Sequence, residues 1–209
     1  MRLPFLIAAP ILAAAIVLPA FAQDDAGSDI GGSKVVLPSE CAVEPLAAED
    51  VATSLTDGAE LVGFDLAIPL GDAISGEEAA AINDTVRQIL ACLNGGDYLR
   101  VANLTTGNGA KWLIGGLGTN GKDAAAAELS KEPTAREEAG YLRLIAITDP
   151  ARMADGRYAA FVVLNEPIRP PRGPETILMV FVDEGGVMKL DALQGFSPRQ
   201  PATEGTPAP

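Results

Sequence analysis

The 209-residue chain contains no histidine. Because histidine is the side chain that titrates near neutral pH, its absence excludes Ser-His and Cys-His triads, histidine metal sites and imidazole acid–base catalysis. Any proton transfer would have to use aspartate, glutamate, tyrosine or lysine. A pocket carboxylate paired with a tyrosine donor needs no histidine. The composition therefore still allows acid–base chemistry by a carboxylate and a tyrosine.

Basic residues are also few. The chain has 15 Lys and Arg against 28 Asp and Glu, which gives a formal net charge of −13. Nucleic acid and anionic lipid surfaces repel such a chain, so neither is an expected partner. The acidic residues are scattered, without the D-x-[DN]-x-[DN]-G spacing of a calcium loop. We predict no cofactor and no metal site, and attribute the acidity to solubility outside the cytoplasm.

Residues 1–22 have the features of a secretory signal peptide. Arg2 supplies the basic start, an apolar run follows, and residues 20–22 are the small-x-small pattern that signal peptidase reads. We predict cleavage after Ala22 and a secreted or extracytoplasmic location. The alternative is an uncleaved membrane anchor, which the prolines in this segment disfavour. No later segment is long and apolar enough to span a bilayer, so no stable membrane insertion is expected after cleavage.

Cysteine is nearly absent, with Cys41 and Cys92 the two examples. In an exported protein such a pair normally forms a disulfide, which we predict here; two buried free thiols are the alternative. After the signal peptide we expect a flexible lead-in (23–38), one domain (39–196, core 75–193) and a disordered tail (197–209).

The clearest periodic segment, residues 75–97, predicts one long amphipathic helix. Ser75 and Glu78 have the spacing of a capping box, and the two glycines at 95 and 96 mark the end. Apolar residues recur at three- and four-residue spacing and predict a buried stripe: Ile82, Val86, Ile89, Leu90 and Leu93.

Shorter elements flank this helix. A helix is predicted to begin near Pro45, another over residues 98–104 capped by Asp97, and an alanine-rich one capped by Asp123 and ending near Lys131. Leu46, Val51 and Leu55 are the apolar contacts expected of the first. Alternating residues predict an edge strand over 62–68. The polar run up to Glu138 is expected to loop outward.

The last third changes to a strand pattern. Four strands are predicted over residues 141–148, 158–165, 176–183 and 187–193, with turns at 149–150, 155–156 and 184–186 and a proline-rich connection over 167–174. No helical segment separates these strands, so the sheet must be antiparallel. Met188, Leu190 and Ala192 are expected to face the core, and Lys189 and Asp191 the solvent.

Residues 116–122, GLGTNGK, fit most of the phosphate-loop spacing GxxxxGK. Asp123 stands where that motif needs a hydroxyl side chain for magnesium, and no strand of a βαβ unit precedes the segment. We therefore interpret the stretch around Trp112 as a mobile loop rather than a nucleotide site.

The order of elements resembles a known superfamily. The stretches ILACLNGGDYLRVANLTT, RLIAITDPARMADGRYAAFVVLN and ETILMVFVDEGGVMKLDAL look like those of nuclear transport factor 2-like (SnoaL-like) proteins, especially secreted bacterial members of unassigned function. The resemblance implies an α+β cone, in which a long helix and shorter helices pack on a curved antiparallel sheet of at least four strands. Such cones often enclose an apolar pocket, and the open sheet face commonly forms a dimer.

The chain departs from that family at two places, and the second departure lowers the expectation of catalysis. Met188 replaces an aromatic residue in the last strand, and residues 105–107 lack the carboxylate that many members carry after the second helix. The available acid–base side chains are Tyr98, Tyr141, Tyr158, Asp65 and Asp191.

The resulting functional hypothesis is a secreted domain that binds a small apolar ligand or a protein partner without catalysis. Its alternatives are a histidine-independent isomerase, dehydratase or cyclase acting on a hydrophobic substrate, and a structural module that forms a homodimer through the sheet face. The candidate pocket residues are Tyr98, Trp112, Tyr141, Tyr158 and Asp191.

Overall fold

The computed structural model describes residues 34–62, 71–165 and 174–196. Within them lie five α-helices and one six-stranded antiparallel sheet, which confirms the predicted α+β class. The helices are α1 (Ala48–Thr56), α2 (Glu77–Gly95), α3 (Tyr98–Asn103), α4 (Gly107–Ile114) and α5 (Lys122–Leu129). The strands are β1 (Lys34–Val35), β2 (Asp72–Ala73), β3 (Arg143–Arg152), β4 (Tyr158–Asn165), β5 (Glu175–Glu184) and β6 (Val187–Phe196). Their order is β1-β3-β4-β5-β6, and β2 also pairs with β3.

The long helix α2 buries the predicted stripe. Four of its residues are at most 1 % exposed and the fifth is partly buried, in the order Ile82, Val86, Ile89, Leu90 and Leu93. Gly96 ends the helix in the left-handed conformation, with φ +69°, as predicted. The predicted capping box is wrong. Within the described residues the N-cap is Gly76, no side chain caps the helix, and Glu78 bonds to the sheet instead of to its own first turn.

The predicted disulfide is confirmed. The sulfurs of Cys41 and Cys92 are 2.03 Å apart and their Cα atoms 4.9 Å apart, within the ordinary range. The bridge attaches the segment before α1 to the last turns of α2. The segment after residue 33 is therefore tied to the core element.

Helix α1 begins at Ala48 rather than near Pro45. Leu46 precedes the helix in an extended segment, where its N–H donates to the carbonyl oxygen of Leu99. The residue is 40 % exposed, so the predicted burial of Leu46 is wrong. The other two predicted contacts, Val51 and Leu55, are buried.

The glycine-rich stretch around Trp112 is helical, so the predicted mobile loop is wrong. It forms α4 and a following 3₁₀ helix, Gly115–Asn120. Thr106 starts α4 because its hydroxyl oxygen accepts a hydrogen bond from the N–H of Gly109. Glycine is required at position 109, since a Cβ there would lie 2.1 Å from the carbonyl oxygen of Leu190.

The two aspartates predicted as helix caps behave differently. Asp97 caps α3 as predicted, with its carboxylate accepting from the N–H of Arg100. Asp123 does not cap α5. That helix begins at Lys122, two residues earlier than predicted, after Gly121 at φ +90°, so Asp123 lies inside the first turn.

All four predicted strands form, and β4 has the predicted bounds. The predicted turn at Asp149-Pro150 is wrong, because β3 continues through it to Arg152. Asp149 has φ +52°, and the pairing with β4 shifts between Thr148 and Ala151, so these residues form an irregularity within the strand. The turns at 155–156 and 184–186 are confirmed by glycines with φ between +67° and +88°.

Strand β6 contains a bulge that reverses its side-chain pattern. Phe181 pairs with Leu190 while Val180 pairs with Ala192, so Asp191 is the extra residue. Met188 and Leu190 pack with the helices as predicted, but Ala192 packs on the opposite face of the sheet. The predicted alternation is therefore wrong beyond Asp191.

The main core lies between the helices and one face of the sheet. Fully buried α2 residues there share a cluster with Met179, Phe181 and Leu190 of the last two strands. A smaller cluster occupies the other face and contains Met153, Ala159, Leu178, Val180 and Ala192. That second face is therefore not the wet face predicted from the sequence.

Several predictions fall outside the described residues: the signal peptide and most of the lead-in, all but the first residue of the 62–68 strand including Asp65, all but the last residue of the 167–174 connection, and the tail. Among the residues that are described, no helix combines the length and the hydropathy needed to cross a membrane.

Candidate functional site

A surface cleft of about 540 Å³ lies beside α3. It is lined by Pro45, residues 96–100 and residues 128–134, and we call it the α3 cleft. One wall is the turn from α2 into α3, and the opposite wall is the end of α5 with the segment that follows it.

The segment after α5 is held against the end of α2 and does not loop outward as predicted. The N–H of Arg136 donates to the carbonyl oxygen of Asn94 over 2.9 Å. At Gly96 the two backbones approach so closely that a Cβ would lie 2.2 Å from the carbonyl oxygen of Thr134. The exposed polar segment can lie this close to the end of α2 because glycine alone leaves room for its backbone.

Asn94 also stabilises the end of α2, through hydrogen bonds in the protein interior. Its side chain is fully buried, and its amide nitrogen donates to the carbonyl oxygens of Val36 and Leu142 over 2.8 and 3.0 Å. Its amide oxygen accepts from the N–H of Leu142 over 2.8 Å. One side chain thus joins the end of α2 to the segments before α1 and β3.

Arg100 fixes the opposite side of the cleft. Its Nη1 donates to the carbonyl oxygen of Cys41 over 2.9 Å, next to the disulfide. Its Nε lies 3.1 Å from the carboxylate of Asp97, but the N–H does not point at that oxygen, so this contact is electrostatic. Together with the helix cap at Asp97, these contacts hold the turn into α3 in one conformation.

The cleft presents apolar groups on this rigid frame. Leu129 is 5 % exposed and lies in the wall contributed by α5. Tyr98 is 37 % exposed, and Leu46, beside Leu99, is 40 % exposed. The Tyr98 ring lines the cleft and is available to a bound molecule, and Leu46 follows the lining residue Pro45 in the chain.

The charges of the cleft are mostly paired with one another. Asp97 pairs with Arg100, and Glu128 with Lys131. Glu132 is exposed and takes part in no ion pair within the part of the chain that the structure describes. The cleft therefore has a small excess of negative charge.

A second depression, of about 590 Å³, lies where the ends of β3 and β5 meet their turns. Tyr158 is 5 % exposed there, and its hydroxyl donates to a carboxylate oxygen of Glu78 over 2.9 Å and accepts from Arg152. The hydrogen bond between Arg152 and the Tyr158 hydroxyl, with the charge of Glu78, raises the pKa of Arg152 above its ordinary value. The tyrosine is buried, but the side chains of Glu78 and Arg152 are 41 % and 54 % exposed.

Asp191 is anchored rather than solvated, contrary to the prediction. Its carboxylate accepts from the hydroxyl of Thr106 over 2.8 Å and lies 3.3 Å from Arg157. Burial lowers the pKa of Arg157, but hydrogen bonds and charge from Asp155 and Asp191 outweigh it and raise that pKa. Asp191 thereby attaches the start of α4 to the bulge in β6.

The five candidate pocket residues do not form one site. Tyr98 lies in the α3 cleft, and Trp112 is 36 % exposed with its indole nitrogen 3.4 Å from the carbonyl oxygen of Val62. Tyr141 is half-buried just before β3. Tyr158 and Asp191 bond to separate partners at the far end of the sheet.

Three residues that position these sites were not singled out for that role from the sequence. Asn94 and Arg100 act through contacts about 50 residues away in sequence, which periodicity does not reveal. Asn108 bonds both backbone groups of Val62 and the carbonyl oxygen of Asp191. An asparagine inside an apolar helical stripe, as at position 94, is the one signal that could have indicated a buried polar anchor.

The phosphate-loop-like stretch has helix α4 before it, not a strand. Its Lys122 lies 3.7 Å from the carboxylate of Glu49.

No group of three or more Cys, Asp or Glu side chains suited to a metal ion occurs among the described residues. Comparison of the chain with protein-family models, curated proteins and solved structures found no match.

Proposed function

We propose that this protein is an extracytoplasmic, non-catalytic binding domain that holds a short extended segment of a partner protein in the α3 cleft. The observation that supports this most is the exposure of Tyr98 on a cleft whose walls are already fixed. Tyrosine is among the residues most enriched as energetic anchors of protein interfaces, especially where its ring fills a concave surface.

The rigidity of the cleft favours binding. The disulfide, the Asn94 hydrogen bonds and the Arg100 contacts hold its walls before any partner arrives. A preformed surface loses less conformational entropy on association than a flexible one. By contrast, the inner face of the sheet is filled by α2 side chains, so the surface cleft supports the proposal better than the cone interior does.

Charge indicates what the partner segment should contain. Glu132 takes part in no ion pair within residues 34–62, 71–165 and 174–196, and the whole chain has a formal net charge of −13. A lysine or arginine in the partner would be attracted during approach and would face Glu132 or the ring of Tyr98 when bound. We therefore propose an extended segment with apolar side chains and at least one basic side chain.

The location and family are part of the same proposal. The disulfide supports export, since such bridges persist in oxidising compartments. The order of a long helix, a short capped helix and an antiparallel sheet that ends in a tight hairpin supports a nuclear transport factor 2-like relationship. Homodimerisation through the sheet face stays a prediction; the small cluster at the centre of that face is already buried within one chain.

Two synthetic peptides of equal length test the proposal, one combining leucine, proline and lysine and the other with glutamate in place of lysine. We expect the lysine peptide to bind more tightly and to shift the NMR signals of residues 96–100 and 128–134. Tyr98→Ala should weaken binding about tenfold or more. Trp112→Ala removes an equally exposed aromatic that does not line the cleft, so it should leave binding unchanged. Equal binding of the two peptides, or no binding, would contradict the proposal.

The rival function is a histidine-independent acid–base enzyme, and the bond between Tyr158 and Glu78 favours it. A tyrosine hydroxyl beside a carboxylate is the combination that such chemistry uses. A phenol such as 2-naphthol mimics an enolate. Binding of this probe that Tyr158→Phe abolishes would favour the enzyme over the binding domain.

A further inference from the structure

Three of the six asparagines in the chain are followed by glycine: Asn94, Asn108 and Asn120. An Asn-Gly step can lose its side-chain amide spontaneously, because glycine has no side chain to hinder attack by its own backbone nitrogen. The reaction requires a flexible backbone and an unrestrained asparagine side chain. The folded structure provides these conditions very unequally at the three steps.

Two of the steps are protected by the fold. Asn94 is fully buried inside α2 and its amide makes three hydrogen bonds. The Asn108 amide bonds to the backbone of Val62 and Asp191, and the N–H of Gly109 is engaged by the Thr106 hydroxyl. Attack by either glycine nitrogen would require these contacts to break first.

The third step is open. Asn120 is the last residue of the 3₁₀ helix and is exposed, and its side chain makes no hydrogen bond within the described part of the chain. Gly121 has φ +90° and no atom within 4 Å of its missing Cβ. A single backbone bond of 3.1 Å, to the carbonyl oxygen of Gly118, restrains its N–H.

We infer that Asn120 is a site of spontaneous deamidation in the folded protein. The Gly121 nitrogen, losing its proton to hydroxide or water, attacks the side-chain carbonyl carbon of Asn120. A nitrogen–carbon bond forms, the bond to the amide nitrogen breaks, and ammonia leaves with a proton from solvent. The resulting five-membered succinimide is opened by water at either carbonyl, which yields aspartate or isoaspartate.

The product changes the entrance to α5. A new carboxylate appears just before the first turn, next to Lys122, and isoaspartate also inserts a methylene into the main chain. Lys122 pairs with Glu49 of α1 and α5 packs against α1, so the isoaspartate form is expected to disturb this contact more than the aspartate form.

Peptide mapping tests the inference, because trypsin places each Asn-Gly step in its own fragment: 88–100, 101–111 and 112–122. The disulfide-bonded protein is incubated at mildly alkaline pH in its folded form, and a second sample is incubated in denaturant with the disulfide reduced. We expect conversion at Asn120 in the folded protein to be at least about tenfold faster than at the other two steps. In the denatured protein all three should convert at similar rates.

Two further readouts make the result decisive. Asn120→Gln, in which ring closure is slower, should remove the extra acidic species that appears on ion exchange. The product should contain isoaspartate as well as aspartate. Aspartate alone would indicate direct hydrolysis and overturn the succinimide route. Conversion at Asn120 no faster than at Asn94 and Asn108 in the folded protein would overturn the inference itself.

Discussion

Asn94 shows how much of this fold depends on a single polar side chain. It is fully buried in the main core, yet its three hydrogen bonds reach segments 58 and 48 residues away. A buried polar group with all its partners stabilises one packing arrangement, because any other arrangement would leave the same groups unpaired.

Replacing Asn94 by alanine should therefore be costly. Asn94→Ala leaves backbone groups of Val36 and Leu142 buried without partners, and we expect a loss of about 3 kcal/mol in the free energy of unfolding. Asn83→Ala, on the exposed side of α2, is the control and should change stability by less than about 0.5 kcal/mol. Urea denaturation measures both, and similar midpoints for the two variants would contradict this account.

At the scale of elements, the helix starts differ between expectation and structure. Ser75 and Glu78 have the spacing of a capping box, but Gly76 starts α2 and Glu78 bonds to Tyr158. Thr106, which gave no such signal, caps α4. Replacing Ser75 or Thr106 by alanine removes one hydroxyl group in each case. Comparing the two variants therefore tests which hydroxyl caps a helix.

We expect Thr106→Ala to lower the free energy of unfolding by about 1 kcal/mol or more, since it removes the cap of α4 and the bond to Asp191. Ser75→Ala should have almost no effect, because Ser75 is exposed and caps no helix in the described part of the chain. Thermal or urea unfolding of the two variants measures these changes. If Ser75→Ala lowered the free energy of unfolding as much as Thr106→Ala does, the capping box predicted from the sequence would be right and the observed helix start wrong.

The disulfide gives an element-scale prediction of a different kind. It closes a loop with a sequence separation of 51, so its removal in the Cys41→Ala, Cys92→Ala double variant should cost about 4 kcal/mol in the chain-entropy model. Arg87→Gln breaks the nearby ion pair with Glu40 and should cost at most about 1 kcal/mol. Two reactive thiols in the denatured, unreduced wild type would contradict the bridge.

The sequence predicted elements whose signals are local. The stripe of α2, its glycine end, the cap at Asp97 and the four long strands all follow from periodicity and turn residues, and all are present. Long-range contacts decided the rest. The bulge at Asp191 arises where α4 reaches β6, and the α3 cleft arises where Thr134 meets Gly96 across some 40 residues of chain. Neither contact has a local pattern that sequence reasoning could have used.

On the scale of the whole molecule, the composition predicts an unusual dependence of stability on pH. With no histidine, no side chain has an ordinary pKa between about 5 and 8. Changes in bound protons on unfolding are then small in this interval, so the free energy of unfolding should be nearly constant across it.

Below this pH interval the carboxylates determine how the free energy of unfolding changes with pH. The backbone N–H of Leu37, and then Arg87, hold the pKa of Glu40 below its ordinary value of 4.5. Hydrogen bonds from Lys111 and from Arg157 hold the pKa values of Asp57 and Asp155 below 3.8. A carboxyl whose pKa is lower in the folded state contributes stability above its unfolded pKa and loses it as pH falls through the folded value. Stability should therefore begin to fall near pH 4.5 and continue to fall below 3.8.

Urea unfolding of the full chain at a series of pH values measures this profile, with Lys111→Gln as the matched variant. Lys111 lowers the pKa of Asp57, so Lys111→Gln should flatten the acid limb slightly and leave the plateau between about pH 5 and 8 level. A pronounced slope within the plateau would contradict the argument, because it would require a group that titrates near neutrality. A free energy of unfolding that does not fall below pH 4.5 would show that the contacts described do not hold the carboxylates in their charged form.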